Sequence, residues 1–513
     1  MFRKRISMFS FSIASSSRSL FSRSCVRNRR AFRVILLVAM FGSAAFGAPA
    51  FAASVSIPQL KAGAADPPLD TASLAAVIVV DTASGKTLYK MNPDKQWPAA
   101  SLTKLMTARV FTSTPTNWNA TGNILNSDEV GGGRLRVPVG TTMSIRDLLY
   151  SAIVGSANNA ANALARLYNG KGANAFVQSM NEFAAAFGLN RTKFYDASGM
   201  NPANTVTAYD VAVLLQETAR SEETVKAMMT AQYSFATRSP VERKNIKNTN
   251  DLLFIEPEVL VSAGKTGYLE ESRYNYAVRV KPSDTSAMNG GELVVVIFGA
   301  PSRPDSVHAA VILAKWAWEN FEWKSLDAPV KLGGNYLMGD RNEDIRELQK
   351  FLNAEGVNIA KRGPGSPGQE TAFFGALTRD ALKRFQEAHR TDILDPYGHT
   401  EASGYLDFAT RAFIHEYKPK PEPAASAGIL SRPLSPGDIS EEVRILQEIL
   451  SRDPDVYPER LVTGFYGPLT IQAVQRFQMK HSIVTTAGAP GYGYVGPGTR
   501  AKLNQLYGGV GSR

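Results

Sequence analysis

Cysteine and histidine are scarce in this chain of 513 residues, and their scarcity excludes several kinds of chemistry. The single cysteine, Cys25, lies in the first 53 residues, so the rest of the chain has no disulfide and no thiol nucleophile. The five histidines are scattered and no H-E-x-x-H sequence occurs, so we expect no metal site and no cofactor. Only His308 lies in the segment that carries the motifs described below, which argues against a Ser-His-Asp triad.

Acidic residues are absent from residues 1–53, where nine arginines or lysines occur. The formal net charge of the whole chain is +11, so the rest of the chain carries only +2, which is 11 minus 9. A basic surface is the usual footprint of a nucleic-acid-binding domain. Because the excess charge is confined to the N-terminal segment, we expect no nucleic-acid partner.

The N-terminal segment has the pattern of an export signal. An apolar run, Val34-Ile-Leu-Leu-Val-Ala-Met-Phe41, follows the basic stretch, and Ala48-Pro-Ala50 and Ala50-Phe-Ala52 are typical cleavage sequences. We therefore predict a signal peptide over 1–53 and a protein exported to the periplasm, the cell wall or the extracellular space. The alternative is an uncleaved membrane anchor, because residues 34–53 contain no charge.

Three short motifs follow one another along the chain: Ser101-Leu-Thr-Lys104, Ser156-Ala-Asn158 and Lys265-Thr-Gly267. In this order they provide a serine nucleophile, a lysine beside it and a cation that faces both. That combination is typical of acyl transfer on a substrate with a free carboxylate. The three motifs therefore predict a serine enzyme that forms a covalent acyl intermediate.

Each motif alone is weak evidence, because the chain contains a second S-x-x-K (Ser262 to Lys265) and a second S-x-N (Ser179 to Asn181). The alternative interpretation of Ser101 is a helix cap with Lys104 on a solvated face. The context favours catalysis. Apolar residues recur at helical spacing after Ser101, which puts Ser101 at a helix start and Lys104 within its reach.

The other two motifs have different predicted settings. The small-residue run Asn159 to Ala165 predicts a buried helix directly after the second motif. Lys265-Thr-Gly267 is expected to follow a loop and to lead into a strand at Tyr274 to Val280, where apolar and polar residues alternate.

Residues 70–320 resemble the penicillin-binding D-alanyl-D-alanine carboxypeptidases of the serine type. The resemblance rests on the three motifs, on Pro98 to Thr107 around the first, and on Asp196-Ala-Ser-Gly-Met200. Two departures occur. Ala157 stands where the family usually has glycine, and the residues after Gly267 lack the family's threonine and Ala-Gly pair.

The resemblance implies a fold and catalytic roles. The fold is α/β (α+β), with an antiparallel sheet and helices over residues 54–326. Ser101 attacks the D-Ala–D-Ala carbonyl, and Lys104 takes its proton with a pKa lowered by burial and by Lys265. Ser156 passes a proton to the leaving D-alanine.

The resemblance also assigns substrate contacts. Asn158 holds the substrate amide and Lys104, and Lys265 with Thr266 binds the terminal carboxylate. Gly267 lets the substrate backbone pair with the strand edge. The oxyanion hole consists of the N–H groups of Ser101 and Tyr268.

An internal repeat begins near Leu337. Residues 345–352 and 374–386 match residues 443–450 and 466–478, so we expect two small all-α modules at 337–417 and 434–508, joined by a proline-rich linker at 418–433. Both copies resemble the peptidoglycan-binding domain of wall hydrolases. The alternative is a purely structural role. Because all three motifs precede Ala300, both modules are expected to be dispensable for turnover of small peptides.

The sequence therefore predicts an exported D-alanyl-D-alanine carboxypeptidase that trims peptidoglycan stem peptides. Its expected partners are those peptides, the wall polymer and β-lactams as covalent inhibitors. A D,D-endopeptidase or a β-lactamase on the same machinery is the first alternative, although wall-binding modules argue against a β-lactamase. A non-catalytic penicillin-binding wall protein is the second, and the intact motifs argue against it.

Overall fold

The structure is a computed structural model that describes residues 55–255, 258–283, 291–325, 330–417, 430–484, 486, 489 and 491–507. The predicted signal peptide and residues 418–429 of the predicted linker lie outside these residues. The strands are β1 (Ser56–Leu60), β2 (Ala76–Asp81), β3 (Thr87–Met91), β4 (Trp97–Pro98), β5 (Thr121–Asn123), β6 (Thr142–Ser144), β7 (Thr205–Val206), β8 (Gln232–Ala236), β9 (Arg243–Lys247), β10 (Val259–Leu269), β11 (Arg273–Pro282), β12 (Leu293–Ala300) and β13 (Phe321–Ser325).

The α-helices divide between a catalytic region and two modules. Those of the catalytic region are α1 (Thr103–Phe111), α2 (Ile145–Ile153), α3 (Asn158–Leu167), α4 (Gly172–Ala186), α5 (Ala208–Thr218), α6 (Glu222–Met229), α7 (Leu252–Ile255) and α8 (Arg303–Asn320). Those of the modules are α9 (Glu343–Ala354), α10 (Ala376–Ala388), α11 (Arg390–Ile393), α12 (Phe408–Glu416), α13 (Glu441–Ser451), α14 (Pro468–Lys480) and α15 (Pro497–Tyr507). None of the helices in the described part of the chain is long and apolar enough to cross a membrane.

A five-stranded sheet forms the centre of the catalytic region, in the order β10-β11-β12-β2-β3 with antiparallel neighbours. Strands from both ends of the region therefore meet in the antiparallel sheet that the family resemblance implied. The prediction for the third motif was partly wrong, because Lys265-Thr-Gly267 does not directly follow a loop but lies in the middle of β10, which begins at Val259. Gly264 and Gly267 interrupt the apolar alternation of this strand and so conceal it in the sequence.

Both faces of the sheet are buried, and alternate residues of β2 separate the two cores. Ile78 and Val80 pack in the core with helices α1 to α5, whereas Val77 and Val79 pack in the core with α8. This alternation follows from the two-residue period of a strand. It leaves the edge strand β10 beside the first turn of α1, where the active-site motifs meet.

The two modules are helical, as predicted, and share one internal framework. In the first module the buried side-chain amide of Gln349 donates to the Thr378 hydroxyl at 2.9 Å. In the second, Gln447 donates to the Thr470 hydroxyl at 2.8 Å. The repeat in the sequence is therefore a repeat of a buried polar pair as well as of apolar positions.

The first module packs directly on the catalytic region through buried polar contacts, which the sequence gave no sign of. Tyr209 on α5 donates to Asp407 at 2.8 Å, and Tyr405 donates to Glu217 at the other end of α5 at 2.6 Å. The buried Arg411 guanidinium donates to the backbone oxygen of Thr82 at 2.9 Å, in the turn between β2 and β3. These contacts join the module to the back of the catalytic region as one packed body.

Candidate active site

Ser101 lies in a 3-10 turn, Ala100–Leu102, that leads directly into α1, so the predicted helix start is confirmed. The Asn275 side chain on β11 holds this segment by donating to the Pro98 carbonyl at 2.9 Å. On β10, a Cβ atom at Gly267 would lie 3.1 Å from the Ala99 carbonyl oxygen. A glycine is therefore needed for the edge strand to approach the nucleophile so closely.

A second glycine, Gly199, lies against the nucleophile turn in the loop that follows Asp196. Gly199 has a φ of +85°, and a Cβ atom there would overlap the Ala100 carbonyl oxygen at 1.9 Å. The Asp196 carboxylate orders this loop by accepting from the backbone N–H groups of Ser198 at 2.6 Å and Gly199 at 2.5 Å. The loop thereby presents the Ser198 carbonyl oxygen to Lys104.

Lys104 is completely buried, so the alternative of a solvated lysine is wrong. Its ammonium nitrogen donates to Ser101 Oγ at 2.9 Å, to Asn158 Oδ1 at 2.7 Å and to the Ser198 carbonyl at 2.5 Å. Burial lowers the pKa of Lys104 to about 7, against the opposing negative charge of Asp196. A substantial share of Lys104 is therefore neutral near pH 7 and able to accept the Ser101 proton.

The electrostatic role predicted for Lys265 needs correction. The sequence led us to expect that Lys265 lowers the pKa of Lys104, whereas burial alone accounts for that direction. The pKa of Lys265 itself is lowered well below its usual value, first by burial and then by the charges of Lys104 and Arg303. The site thus brings three basic side chains, Lys104, Lys265 and Arg303, close enough to influence one another.

The second motif connects the two lysines. Ser156, with a φ of +56°, precedes α3 and its hydroxyl accepts from Lys265 Nζ at 2.9 Å. Asn158 begins α3, and its side-chain nitrogen donates to the Gly131 carbonyl at 2.8 Å while its oxygen accepts from Lys104. The predicted contact of Asn158 with Lys104 is therefore present. One of the two side-chain amide hydrogens of Asn158 is bonded to the glycine loop, which consists of Gly131, Gly132 and Gly133.

The third motif lies along the free edge of β10. Lys265 Nζ also donates to the Thr266 carbonyl at 2.9 Å, and the Thr266 hydroxyl donates to that of Thr249 at 2.7 Å. Tyr268 is 50% exposed, and its ring packs on that of Tyr274 with centroids 4.5 Å apart. All eight predicted residues thus surround one cleft between β10, α3 and the nucleophile turn.

Sequence reasoning missed three residues that shape this cleft. Asp196 was noted as part of a motif but given no role, Asn275 was not noticed, and Arg303 begins the helix α8. No sequence signal pointed to Arg303, which lowers the pKa of Lys265 through its charge.

The competing serine motifs lie elsewhere. Ser262 sits on β10 and bonds to the Arg279 carbonyl at 3.2 Å and to the Glu292 carboxylate. Ser179 sits within α4 and donates to the Ala175 carbonyl at 3.2 Å. Both side chains have structural partners, so the choice of Ser101 over them agrees with the geometry.

A polar cavity of about 610 Å³ lies next to the cleft, in the segment 126–139 that follows β5. Glu129, Arg134 and Arg136 are among its lining residues. The same segment contains the glycine loop, whose Gly133 carbonyl accepts from the Asn158 backbone N–H at 2.7 Å. The segment with this charged surface is therefore held against the start of α3. No group of three potential metal-ligating side chains occurs in the described residues.

A buried lysine bonded to a serine, a second serine and an edge strand with a second lysine together define a serine peptidase of the acyl-enzyme type. Residues 61–302 match the family described as D-alanyl-D-alanine carboxypeptidase. Residues 341–395 and 440–503 each match a peptidoglycan binding domain. The chain belongs to the D-alanyl-D-alanine carboxypeptidase family and carries two domains of the peptidoglycan-binding type.

Among curated relatives, a D-alanyl-D-alanine endopeptidase of Pseudomonas aeruginosa is 32% identical over 55% of this chain and 88% of its own length. The D-alanyl-D-alanine carboxypeptidase DacF of Bacillus subtilis is 28% identical over 48% of this chain and 62% of its own. A solved structure of a Streptomyces K15 DD-transpeptidase mutant is 25% identical and covers 49% of this chain and 100% of its own, with a TM-score of 0.45.

Proposed function

We propose that this protein hydrolyses the bond between the last two D-alanines of peptidoglycan stem peptides, as a serine carboxypeptidase. The observation that carries the proposal is the buried Lys104, which has a pKa of about 7 and lies 2.9 Å from Ser101 Oγ. A lysine that is neutral near pH 7 can serve as a general base for a hydroxyl of ordinary acidity.

In the proposed acylation step, Ser101 Oγ forms a bond to the carbonyl carbon while Lys104 takes the hydroxyl proton. The bond to the leaving D-alanine nitrogen then breaks, and Ser156 relays to that nitrogen the proton that Lys104 took, so that Ser156 keeps its hydroxyl and Lys104 is neutral again. Because Lys265 donates to Ser156 Oγ, the hydroxyl hydrogen of Ser156 remains free to point at the leaving group. Water cleaves the resulting ester and releases the shortened peptide.

Binding of the substrate carboxylate is assigned to Lys265 and Thr266. Burial, Lys104 and Arg303 lower the pKa of Lys265, and a bound carboxylate acts in the opposite direction by stabilising the charged form. The N–H groups of Ser101 and Tyr268 receive the oxyanion, each worth about 3 kcal/mol in the transition state. The protein acts at the cell wall after export, where its C-terminal modules hold it, and β-lactams acylate Ser101.

A second candidate is a D,D-endopeptidase that cuts crosslinks between stem peptides. One comparison favours it. Three D-alanyl-D-alanine endopeptidases are 29–34% identical to this chain, against 26–29% for five carboxypeptidases. In this alternative the charged surface at Arg134 and Arg136 would contact the second peptide.

Mass spectrometry of two purified muropeptides distinguishes these candidates. A pentapeptide monomer that loses D-alanine supports the carboxypeptidase, and a crosslinked dimer that yields monomers supports the endopeptidase. The S101A variant serves as the control in both incubations. If the parent protein changes neither substrate at concentrations where labelled penicillin acylates it, the proposed hydrolysis is wrong.

A further inference from the structure

Each module exposes a phenylalanine at the same position of the repeat. Phe373 in the first module is 37% exposed and Phe465 in the second is 46% exposed. The next residue in each copy, Phe374 or Tyr466, is buried in the module core. Core packing explains the buried ring but not the exposed one, and an exposed ring kept in both copies indicates a surface that binds something.

The two exposed rings are also held in the same way. The buried amide of Gln349 donates to the Phe373 carbonyl at 2.9 Å, and that of Gln447 donates to the Phe465 carbonyl at 2.9 Å. Fixing the backbone at this point reduces the entropy that the ring loses when a ligand binds.

Each ring lies close to the glycine that follows it by two residues. A Cβ atom at Gly375 would lie 3.5 Å from the Phe373 ring, and one at Gly467 would lie 3.1 Å from the Phe465 ring. Each ring therefore has a glycine beside it and remains partly exposed to solvent. This is the arrangement of a stacking platform, because a rigid aromatic face offers contact area at little entropic cost.

One neighbour of the ring differs between the copies. Arg341 and Ile439 occupy the same repeat position and are bridged to Phe373 and Phe465 respectively. The Arg341 guanidinium lies 4.6 Å from the Phe373 ring centroid. Ile439 is 79% exposed. The surface of the first module, Phe373 with Arg341, therefore suits a polymer that has both carboxylates and apolar faces. The surface of the second module, Phe465 with Ile439, suits apolar faces alone.

The interface with the catalytic region uses Tyr405, Asp407 and Arg411, and it also reaches Asp340, the residue before Arg341. Phe373 nevertheless remains 37% exposed in the docked module, so the interface leaves this ring available. This matters because a structural role accounts for the docking residues but not for Phe373.

We propose that Phe373 with Arg341, and Phe465 with Ile439, form the surfaces through which the two modules bind the glycan strands of peptidoglycan. The apolar face of a sugar ring stacks on the phenylalanine, and Arg341 attracts the carboxylates that the strand and its stem peptides carry. The inference rests on the proposed wall-directed function, and the match of both copies to a peptidoglycan binding domain supports the choice of ligand.

The test is co-sedimentation of the full-length protein with purified sacculi, with turnover of a soluble muropeptide measured in parallel. We expect F373A and F465A each to weaken sedimentation about tenfold. The double variant is expected to lose about 10²-fold, because two linked sites reinforce each other through effective concentration. Replacement by tryptophan, F465W, keeps an aromatic face and should restore binding.

Met479 provides a matched control. It is 43% exposed, close to the value for Phe465, and lies about 17 Å away at the far end of α14. We expect M479A to bind sacculi like the parent, and all variants to retain the parent's melting temperature within a few degrees.

Three outcomes would overturn the inference: a double variant that sediments like the parent, a loss in M479A equal to that in F465A, or a failure of F465W to restore binding. Competition by soluble stem peptide but not by peptide-free glycan strands would also overturn it. Muropeptide turnover reports on the proposed enzyme function independently, since none of these residues lies in the active site.

Discussion

At the scale of single residues, the chemistry depends on two buried lysines in one polar network. Lys104 contacts Ser101 and Asn158, and Lys265 contacts Ser156. Burying cations this close together is unfavourable for the folded protein, and the lowered pKa of each lysine measures that cost. The neutral form that the fold favours for Lys104 is the form that catalysis needs.

The first prediction concerns pH. Because the pKa of Lys104 is lowered to about 7, its neutral fraction rises as the pH passes upward through about 7. We expect the rate of acylation of Ser101 by labelled penicillin to increase with pH below that value and to level off above it. The measurement is the second-order labelling rate between pH 5 and 9. A rate that stays constant across this range would show that Lys104 is not the base.

The second prediction separates the charge of Lys104 from its basicity. In K104R the positive charge is retained but the side chain cannot lose its proton. We expect acylation to fall about 10³-fold, nearly as far as in K104A, since general base catalysis contributes about 10² to 10⁴. The matched control is K90R, a lysine on β3 outside the cleft, which should label like the parent. An Arg variant that keeps most of its acylation rate contradicts the mechanism.

At the scale of secondary-structure elements, the cleft exists because two glycines let neighbouring segments approach the nucleophile turn. Gly267 brings the edge strand β10 against it, and Gly199 brings in the loop that carries Asp196. The three sequence motifs identify the side chains predicted to act in the cleft. The two glycines determine how closely the neighbouring segments approach the nucleophile turn.

The third prediction concerns this approach. In G199A the new Cβ would overlap the Ala100 carbonyl oxygen, and the φ of +85° adds backbone strain. We expect a loss of more than about 2 kcal/mol in the free energy of unfolding and at least a tenfold slower acylation of Ser101. Thermal melting and penicillin labelling measure the two effects.

Gly63 is the control for backbone strain alone. It has a φ of +78° but no atom within 4 Å of its virtual Cβ, so G63A should cost about 1 kcal/mol and leave labelling unchanged. If G199A and G63A behave alike, the close approach to Ala100 is unimportant.

At the scale of the whole molecule, the first module is part of the catalytic body. Its Tyr405 satisfies Glu217, a carboxylate whose burial raises its pKa. Arg220, beside Glu217 on the catalytic side, also bonds to Asp340 of the module at 3.0 Å. The sequence predicted that both modules are dispensable for turnover of small peptides. For the first module we now expect a loss of stability and activity on removal, because removal exposes buried polar groups of α5 to water.

The fourth prediction follows from this interface. The Y405F variant leaves Glu217 without one of its donors, and we expect it to lower the free energy of unfolding by about 1–3 kcal/mol. The control is Y494F, at the same repeat position in the second module, which should lower the melting temperature of the catalytic body by less than 1 °C. Differential scanning calorimetry gives both values, and equal shifts would contradict the proposed role of Tyr405.

Truncation tests the same point on a larger scale. A chain that ends at residue 417 retains the first module and should turn over soluble muropeptide like the parent. A chain that ends at residue 325 should melt at a lower temperature and lose activity, because α5 and the turn between β2 and β3 are exposed. Full activity of the shorter chain would mean that the interface is not needed.

The sequence by itself indicated the peptidase family and the repeat, and it predicted Ser101 as nucleophile and Lys104 as base. Residue types at fixed local spacings carry that information, as in the helix that places Lys104 one turn after Ser101. Local spacing also identified Ser156, Asn158 and Lys265 as partners, although not which lysine lowers the pKa of the other.

Only the tertiary structure decided the features that depend on contacts between distant segments. The contact of Lys265 with Ser156, the role of Asp196 in positioning the Ser198 carbonyl, and the docking of the first module on α5 are of this kind. No local pattern encodes them, because each depends on which groups are desolvated together once the chain has folded. Burial lowers the pKa of Lys104, and it removes Glu217 from water so that its carboxylate depends on the hydrogen bond from Tyr405. Burial is a property of the assembled core and not of any short stretch of sequence.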